Sequence, residues 1–207
     1  MAYGFLDIAS TPSVRAAQRA MGSDRAYRNF RGDRAFDRFT PNEAAFIAAR
    51  DSFYMASVSE TGWPYVQHRG GPKGFLKLVD DQTLAFADYR GNRQYISVGN
   101  LAAEARAALI LVDYPARARL KIYARVEAVA IDDDLAALVA EPAYEARLER
   151  VFVLRLAAFD WNCAQHITPR FTEADVAAAV TPLRDRLAVL EAENEQLRAK
   201  LASSKGD

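Results

Sequence analysis

The sequence predicts a mainly β protein, an antiparallel barrel with flanking helices and a C-terminal helical coiled-coil tail. Between residues 52 and 161, short runs of strand-forming residues alternate with tight turns, which is typical of an antiparallel sheet or barrel. From Leu183 onward, leucines recur in steps of four and three, the spacing of a helical seam. We therefore expect an arm (residues 1–40), a barrel domain (41–171) and a tail (172–207).

Composition bounds the function classes. Hydrophobic residues make up 51% and charged residues 26% of the 207 residues, as in an ordinary globular protein. Lys plus Arg and Asp plus Glu each number 27, and this balance argues against a general nucleic-acid binder. A single cysteine, no signal-like start and no long apolar run lead us to expect a cytoplasmic protein without a membrane span.

The arm is predicted to be irregular, apart from a helical pattern around Val14–Met21. Arg alternates with Phe over residues 28–39, and we expect Phe30, Phe36 and Phe39 to pack on the domain while the arginines stay in water. A nucleic-acid arm is the weaker alternative, because aspartates dilute the charge.

A helix should begin after Thr40, since a threonine cap, Pro41 at the first position and Glu43 close behind form a strong start signal. We expect it to run to about Arg50. Strands are then predicted over residues 53–59, 64–69, 75–80, 83–88, 108–114, 119–131 and 149–161. A short helix should follow the loop that starts at residue 89, and another should cover residues 132–140, where an acidic first turn suits the helix dipole.

Two loops carry the chemistry. The segment RGGPKGF, from Arg69 to Phe75, packs two cations among three glycines, whose backbone can approach an anion closely. The segment DYRGNRQ, from Asp88 to Gln94, leaves a strand and opens a helix, so that backbone donors and Arg93 suit a phosphate. Either loop alone could be a solvated turn, but the two together favour a phosphate-bearing ligand. Neither matches the P-loop or dinucleotide fingerprint.

Three segments carry a family resemblance: FYMASVSETGWPYVQHRGGPKGF, TLAFADYRGNRQYISVGNL and RLKIYARVEAV. They resemble the FMN-binding split-barrel superfamily typified by pyridoxamine-5′-phosphate oxidase, and the resemblance extends through DWNCAQHITPRFTEADV. It implies a split β-barrel homodimer with flavin mononucleotide (FMN) at the interface, its phosphate held at two strand ends and the following helix. The FMN-binding residues it implies are Arg69, Gly70, Lys73, Gly74, Phe75, Asp88, Arg90, Asn92, Arg93, Gln94, Arg119, Trp161 and Gln165.

The match also shows departures. Asn92 and Gln94 stand where the oxidases have Ser and Lys, so phosphate binding should depend more on Arg93. Arg119 matches a Gln that faces the flavin ring, where a cation favours the anionic reduced flavin. The Arg-Leu-His-Asp-Arg segment of the oxidases is missing, so vitamin B6 oxidation is not expected.

We therefore expect an FMN-dependent oxidoreductase acting on an unidentified small molecule. The alternatives are a flavin-binding sensor, storage or interaction protein, or a split barrel that binds haem or a deazaflavin. Cys163 and His166 form a C-x-x-H pair, but with His68 as the remaining histidine they do not make a zinc site. Either they are a nucleophilic pair, or Cys163 is a quiet core residue.

The tail is predicted to form a coiled coil. Asn194 occupies an a position, where a buried asparagine favours a two-stranded state, and the flanking charges attract across a parallel dimer. The alternative is an amphipathic helix lying on the barrel. The seam consists of Leu183, Leu187, Leu190, Asn194, Leu197 and Leu201, and the charge pairs are Arg186 with Glu191 and Glu193 with Arg198.

Overall fold

The computed structural model describes residues 4–25, 37–142, 144–162 and 165–203. The expectations for Phe30, Phe36 and Cys163 concern residues outside these ranges. Contacts divide the chain into two compact units. The first contains residues 1–113 and 117–165, and the second contains residues 114–116 and 166–207.

Seven strands form one antiparallel sheet in the order β2-β1-β5-β6-β7-β4-β3. All of them fall where the alternation of strand residues and turns predicted them. The strands are β1 (Ser52–Val58), β2 (Pro64–Gly70), β3 (Lys77–Asp80), β4 (Thr83–Tyr89), β5 (Arg106–Asp113), β6 (Ala118–Val129) and β7 (Leu148–Asn162).

The sheet is rolled up rather than flat. β1 and β4 are not neighbours in the ladder, yet the rings of Phe53 and Phe86 meet edge to face at 5.2 Å. Likewise, Arg69 on the edge strand β2 forms an ion pair with Asp88 at the end of β4. Contacts between strands so far apart in the ladder require a curved sheet, which confirms the predicted split-barrel fold.

The apolar side chains enclosed by this curvature form the main core, and alternate residues of β1, β4, β5, β6 and β7 supply most of them. Fully buried members include Phe53, Met55, Leu84, Phe86, Leu111, Leu120, Ile122, Phe152 and Leu154.

Six helices are described in full: α1 (Phe5–Ala9), α2 (Pro12–Ala20), α3 (Pro41–Ala48), α4 (Ile96–Ala103), α5 (Asp133–Val139) and α6 (Glu173–Ser203). The prediction of an irregular arm was wrong over α1. Its five residues are too few to show a helical period, but Gly4 and Asp7 cap it and Phe5 stacks on Tyr123 at 4.4 Å.

Glu43 connects helix α3 to the sheet. Its carboxylate accepts hydrogen bonds from the backbone N–H and hydroxyl of Thr40, closing the predicted capping box. It also accepts the indole N–H of Trp161 on β7 at 2.6 Å. Burial opposes ionisation, but these hydrogen bonds outweigh it and lower the pKa of Glu43.

We expect Glu43→Gln to reduce the free energy of unfolding by about 1.5 kcal/mol, because the amide offers one acceptor in place of two and turns a donor toward other donors. Urea unfolding measures the loss. The difference should be largest at neutral pH and shrink as acid protonates Glu43, since a pKa lowered by folding stabilises only the ionised state. The exposed Glu60→Gln is the control, and an equal loss there would contradict this role.

In the second unit, α6 runs through Pro182 as one helix. The Thr181 hydroxyl donates to the Ala177 carbonyl at 2.8 Å, a bond that does not depend on the N–H that proline lacks. The five seam leucines are all exposed. None of the described helices combines the length and apolar character needed to cross a membrane.

Candidate functional site

An open cleft of about 220 Å³ lies where β2, the end of β4 and the segment leading into α4 meet. Its walls are strongly polar. They consist of Tyr65, Gln67, Arg69, Asp88, Tyr89, Gly91, Asn92, Arg93, Gln94, Tyr95, Ile96, Ser97, Val98 and Glu149.

The segment leading into α4 has an unusual backbone. Arg93 and Tyr95 adopt left-handed conformations, with φ of 62° and 53°. Non-glycine residues seldom occupy this region, and such strain is concentrated at functional sites. Tyr95 is the N-cap of α4 but provides no side-chain cap. The first three residues of the helix, Ile96, Ser97 and Val98, line the cleft, and the Tyr95 side chain does not cap their backbone N–H groups.

Arg69 brings a buried cation to the cleft. Its side chain is 13% exposed, and its Nη1 donates to Oδ1 of Asp88 at 2.8 Å. The guanidinium lies 5.1 Å from the Phe152 ring centroid and 5.8 Å from that of Phe86. Burial lowers the pKa of Arg69, although Asp88 opposes this effect. The Nε of Arg69 is buried without a hydrogen-bond acceptor, which marks a place for a ligand oxygen.

The carboxylates of the cleft are paired with cations. Asp88 also faces Nε of Arg150 at 3.6 Å, and burial raises the pKa of Asp88 against the effect of both arginines. Glu149 accepts the Tyr95 hydroxyl at 3.2 Å and lies 3.6 Å from Nε of Arg90. Because the two acids are matched by neighbouring cations, Arg93 remains as an exposed positive charge at the mouth.

Five of the predicted site residues converge on this cleft: Arg69, Asp88, Asn92, Arg93 and Gln94. They come from the two basic loops, which the chain separates and the rolled sheet brings together. Asn92 and Gln94 bond to each other, with the Asn92 side chain accepting the Gln94 backbone N–H at 3.1 Å. Arg90 lies beside the cleft, where its Nε is 3.6 Å from the lining residue Glu149.

The rest of the first loop does not line the cleft. Phe75 is buried in the core and stacks on Phe53. Gly74 has a φ of 79°, and its N–H donates to the Arg50 carbonyl, so this glycine is required by the turn. Gly70 pairs with Ser52 in the β1–β2 ladder, and Lys73 is exposed.

The remaining three predicted residues also lie outside the cleft lining. Gln165 is exposed. Trp161 packs on Phe46 at 4.8 Å and donates to Glu43, which gives it a structural role. Arg119 points to the outer face of β6, opposite the buried Leu120, and its Nε is buried without an acceptor. Among the described residues, Arg69 and Arg119 carry the buried side-chain nitrogens that lack a partner.

Several cleft residues were not predicted. Tyr65 and Gln67 share the inner face of β2 with Arg69, and the period-two alternation of a strand could have identified them. Ser97 donates to Gln67 at 3.0 Å, which fixes α4 against β2. Glu149 comes from β7, and no local signal connects it with either loop.

The donor set suits an anion rather than a metal ion. Guanidinium groups, side-chain amides and uncapped helix N–H groups are hydrogen-bond donors, and together they match a phosphate. Over the described ranges, no group of three or more His, Cys, Asp and Glu residues is arranged to hold a metal. The described lining thus offers hydrogen-bond donors suited to an anion, and three tyrosines are among its residues.

Comparisons with known proteins place this geometry in context. Residues 39–162 match the family model described as pyridoxamine 5′-phosphate oxidase. No curated protein matches the chain in sequence.

Among solved structures, HupZ from Group A Streptococcus superposes with a TM-score of 0.50 at 12% identity, covering 64% of this chain and all 100% of that one. This similarity concerns the fold alone. A candidate pyridoxamine 5′-phosphate oxidase from Lactobacillus delbrueckii gives a TM-score of 0.47 at 19% identity, covering 60% and 94% of the two chains. An FMN-binding protein from Syntrophomonas wolfei gives 0.46 at 12% identity, covering 73% and 95%.

Proposed function

This chain belongs to the pyridoxamine 5′-phosphate oxidase family, and we propose that it binds FMN, with the phosphate in the cleft between Arg69 and Arg93. The observation that carries the proposal is the buried Nε of Arg69, which has no acceptor and belongs to a residue that lines a cleft of other donors. A phosphate oxygen would satisfy it. Arg93 and the uncapped start of α4 would supply further bonds to the dianion.

The wall residues around this site suit the rest of the cofactor. The carboxylates and amides of the cleft can bond to ribityl hydroxyls, and Tyr65, Tyr89 and Tyr95 offer apolar ring surface. FMN would supply the electron-accepting ring, and the protein would bind and orient it. We propose that this chemistry serves an oxidoreductase reaction on a small organic substrate.

The visible absorption spectrum of the purified protein tests the cofactor. We expect a flavin spectrum, either as isolated or after FMN is added and excess ligand removed. A Soret band would instead indicate haem, and a deazaflavin would absorb at shorter wavelength than FMN. A colourless protein that takes up no FMN would contradict the proposal.

Reduction by a nicotinamide tests the oxidoreductase activity. The bound flavin should lose its visible absorbance when NADH or NADPH is added anaerobically and regain it with an electron acceptor. Tight FMN binding without reduction by either donor would favour the second class of function, a flavin-binding sensor, storage or interaction protein.

We further propose that the protein is a homodimer through the barrel. The outer face of β1 and β2 is apolar and exposed: Trp63 is 76% and Val66 60% exposed, and Tyr54 and Val58 lie on the same hairpin. An exposed apolar patch of this kind is typical of an interaction surface. The same face of the sheet continues over β5 to Arg119, whose partnerless Nε would then gain an acceptor from the other subunit or its flavin.

The exposed leucine seam of α6 supports a parallel two-stranded coiled coil as an accessory contact. Three heptads seldom hold a dimer alone. The main interface is therefore expected at the barrel.

Deleting residues 181–207 should leave an FMN-binding dimer whose midpoint of thermal unfolding is lowered by a few degrees, because only the accessory contact is lost. Asn194→Leu should stabilise the seam while loosening its choice of oligomer. Light scattering across a dilution series measures both. A truncated protein that becomes monomeric would show that the coil is the main interface.

A further inference from the structure

Asp88 is a buried acid among the hydrogen-bond donors that we propose bind a phosphate, where a second negative charge is unexpected. Its side chain is 9% exposed, and each carboxylate oxygen faces a different arginine. Arg69 on β2 approaches Oδ1 at 2.8 Å, and Arg150 on β7 approaches Oδ2 at 3.6 Å. Asp88 thereby links β2 and β7, two strands that are not neighbours in the sheet.

The contact with Asp88 determines which edge of the Arg69 guanidinium is available. A guanidinium presents two bidentate edges to oxyanions, the end formed by Nη1 and Nη2 and the side formed by Nε and Nη2. Asp88 occupies Nη1, while Nε is buried and has no acceptor. The aromatic rings of Phe86 and Phe152 lie beside the guanidinium and restrict its movement. The side edge therefore has no acceptor at Nε among the described residues.

We propose that Asp88 is a positioning residue that fixes Arg69 with its Nε edge directed at the phosphate of the bound flavin. The proposal rests on the function proposed above and adds a role for a residue that would not itself bind the phosphate. A carboxylate repels a phosphate, but both oxygens of Asp88 face arginines, so the acid is placed to act on the phosphate through them.

The charged groups around Asp88 determine whether it mainly orients Arg69 or mainly repels the phosphate. Arg69 comes from β2, Arg150 and Glu149 from β7, and Tyr65 from β2. Two cations face the two oxygens of the Asp88 carboxylate, and Arg150 also pairs with Glu149 at 3.4 Å, so the charge of Asp88 is compensated within the protein. A carboxylate compensated in this way repels a phosphate only weakly. Its orienting effect on Arg69 therefore outweighs its repulsion of the phosphate.

The test compares FMN with riboflavin, which lacks the phosphate, in wild type and Asp88→Asn. Asparagine keeps the size and one acceptor oxygen but removes the charge that holds Arg69. FMN should bind about tenfold more weakly and riboflavin within about twofold of wild type, the scale of one charge-assisted hydrogen bond. Asp88→Glu, which keeps the charge but displaces the carboxylate, should also weaken FMN selectively.

A double-mutant cycle identifies the residue through which Asp88 acts. In the Arg69→Met background, Asp88→Asn should cause no further loss of FMN affinity, because the group that it orients is already gone. Thermal unfolding of each variant confirms that it is folded.

Tighter FMN binding in Asp88→Asn would overturn the proposal and show that the acid competes with the phosphate. Equal losses for FMN and riboflavin, or a full additional loss in the Arg69→Met background, would show a general structural role and overturn it as well. If Asp88→Asn does not fold, unchanged FMN affinity in Asp88→Glu would overturn it. A wild-type protein that binds neither flavin would instead refute the proposed function.

Discussion

Arg93→Ala should weaken FMN binding by about 1.5–3 kcal/mol, the range of a charge-assisted hydrogen bond to a phosphate. Arg93 is exposed at the mouth of the cleft, and its left-handed backbone directs the loop into α4. Asn92 and Gln94, on either side of Arg93, carry no charge. Arg93 is therefore the cation of this loop that lies closest in sequence to the start of α4. Riboflavin affinity should hardly change, because riboflavin has no phosphate for Arg93 to bind.

Arg117→Ala is a matched control. Arg117 is also exposed and also has a left-handed φ, 52°, but it lies in the β5–β6 turn and is absent from the cleft lining. Fluorescence titration of the two variants and wild type with both flavins gives the comparison. An equal loss for FMN and riboflavin in Arg93→Ala would show that Arg93 does not bind the phosphate.

Val66→Asp should shift the dimer toward monomer by roughly 2–3 kcal/mol, because it places an unpaired charge in the middle of the proposed apolar interface. Val66 faces outward beside Ala56, whereas its neighbours Tyr65 and Gln67 face the cleft. The substitution therefore changes one face of β2 only. Sedimentation velocity over a dilution series measures the dissociation constant, and FMN affinity should fall with dimer content if both subunits contact the cofactor.

Val79→Asp provides the same chemical change on a different edge of the sheet. Val79 is 47% exposed on β3, at the opposite end of the strand order from β2. We expect this variant to remain dimeric at concentrations where Val66→Asp is monomeric. If Val79→Asp dissociates and Val66→Asp does not, the interface lies at the other edge.

The strands could be predicted because each one satisfies a local rule. The turn at Gly62 and the acidic turn before Thr83 separate runs whose alternate residues are apolar, and a one-residue slip would expose the core face. The start of α3 could also be predicted from a local signal, since Thr40, Pro41 and Glu43 form a cap within four residues. Helix α1 has no such pattern, and its position depends on the contact of Phe5 with Tyr123, far along the chain.

Only part of the candidate site could be predicted, because only its two loops carry a local sequence signal. The charges and glycines of the two loops indicated a phosphate, and five of the predicted residues lie together. Trp161, which the resemblance implies is an FMN-binding residue, donates its indole N–H to Glu43 and lies outside the cleft lining. Arg150 and Glu149, which pair with Asp88 and Tyr95, belong to β7, and the register of β7 against β4 sets Arg150 directly opposite Asp88. Tertiary packing determines such contacts, and a local pattern does not contain them.

A crystal structure of the protein soaked or grown with FMN tests the central claim most directly. We predict that the FMN phosphate lies in the cleft, within hydrogen-bond distance of Nε of Arg69, the Arg93 guanidinium and a backbone N–H at the start of α4. Flavin bound elsewhere, or with its phosphate in solvent and Nε of Arg69 still without an acceptor, would contradict the account.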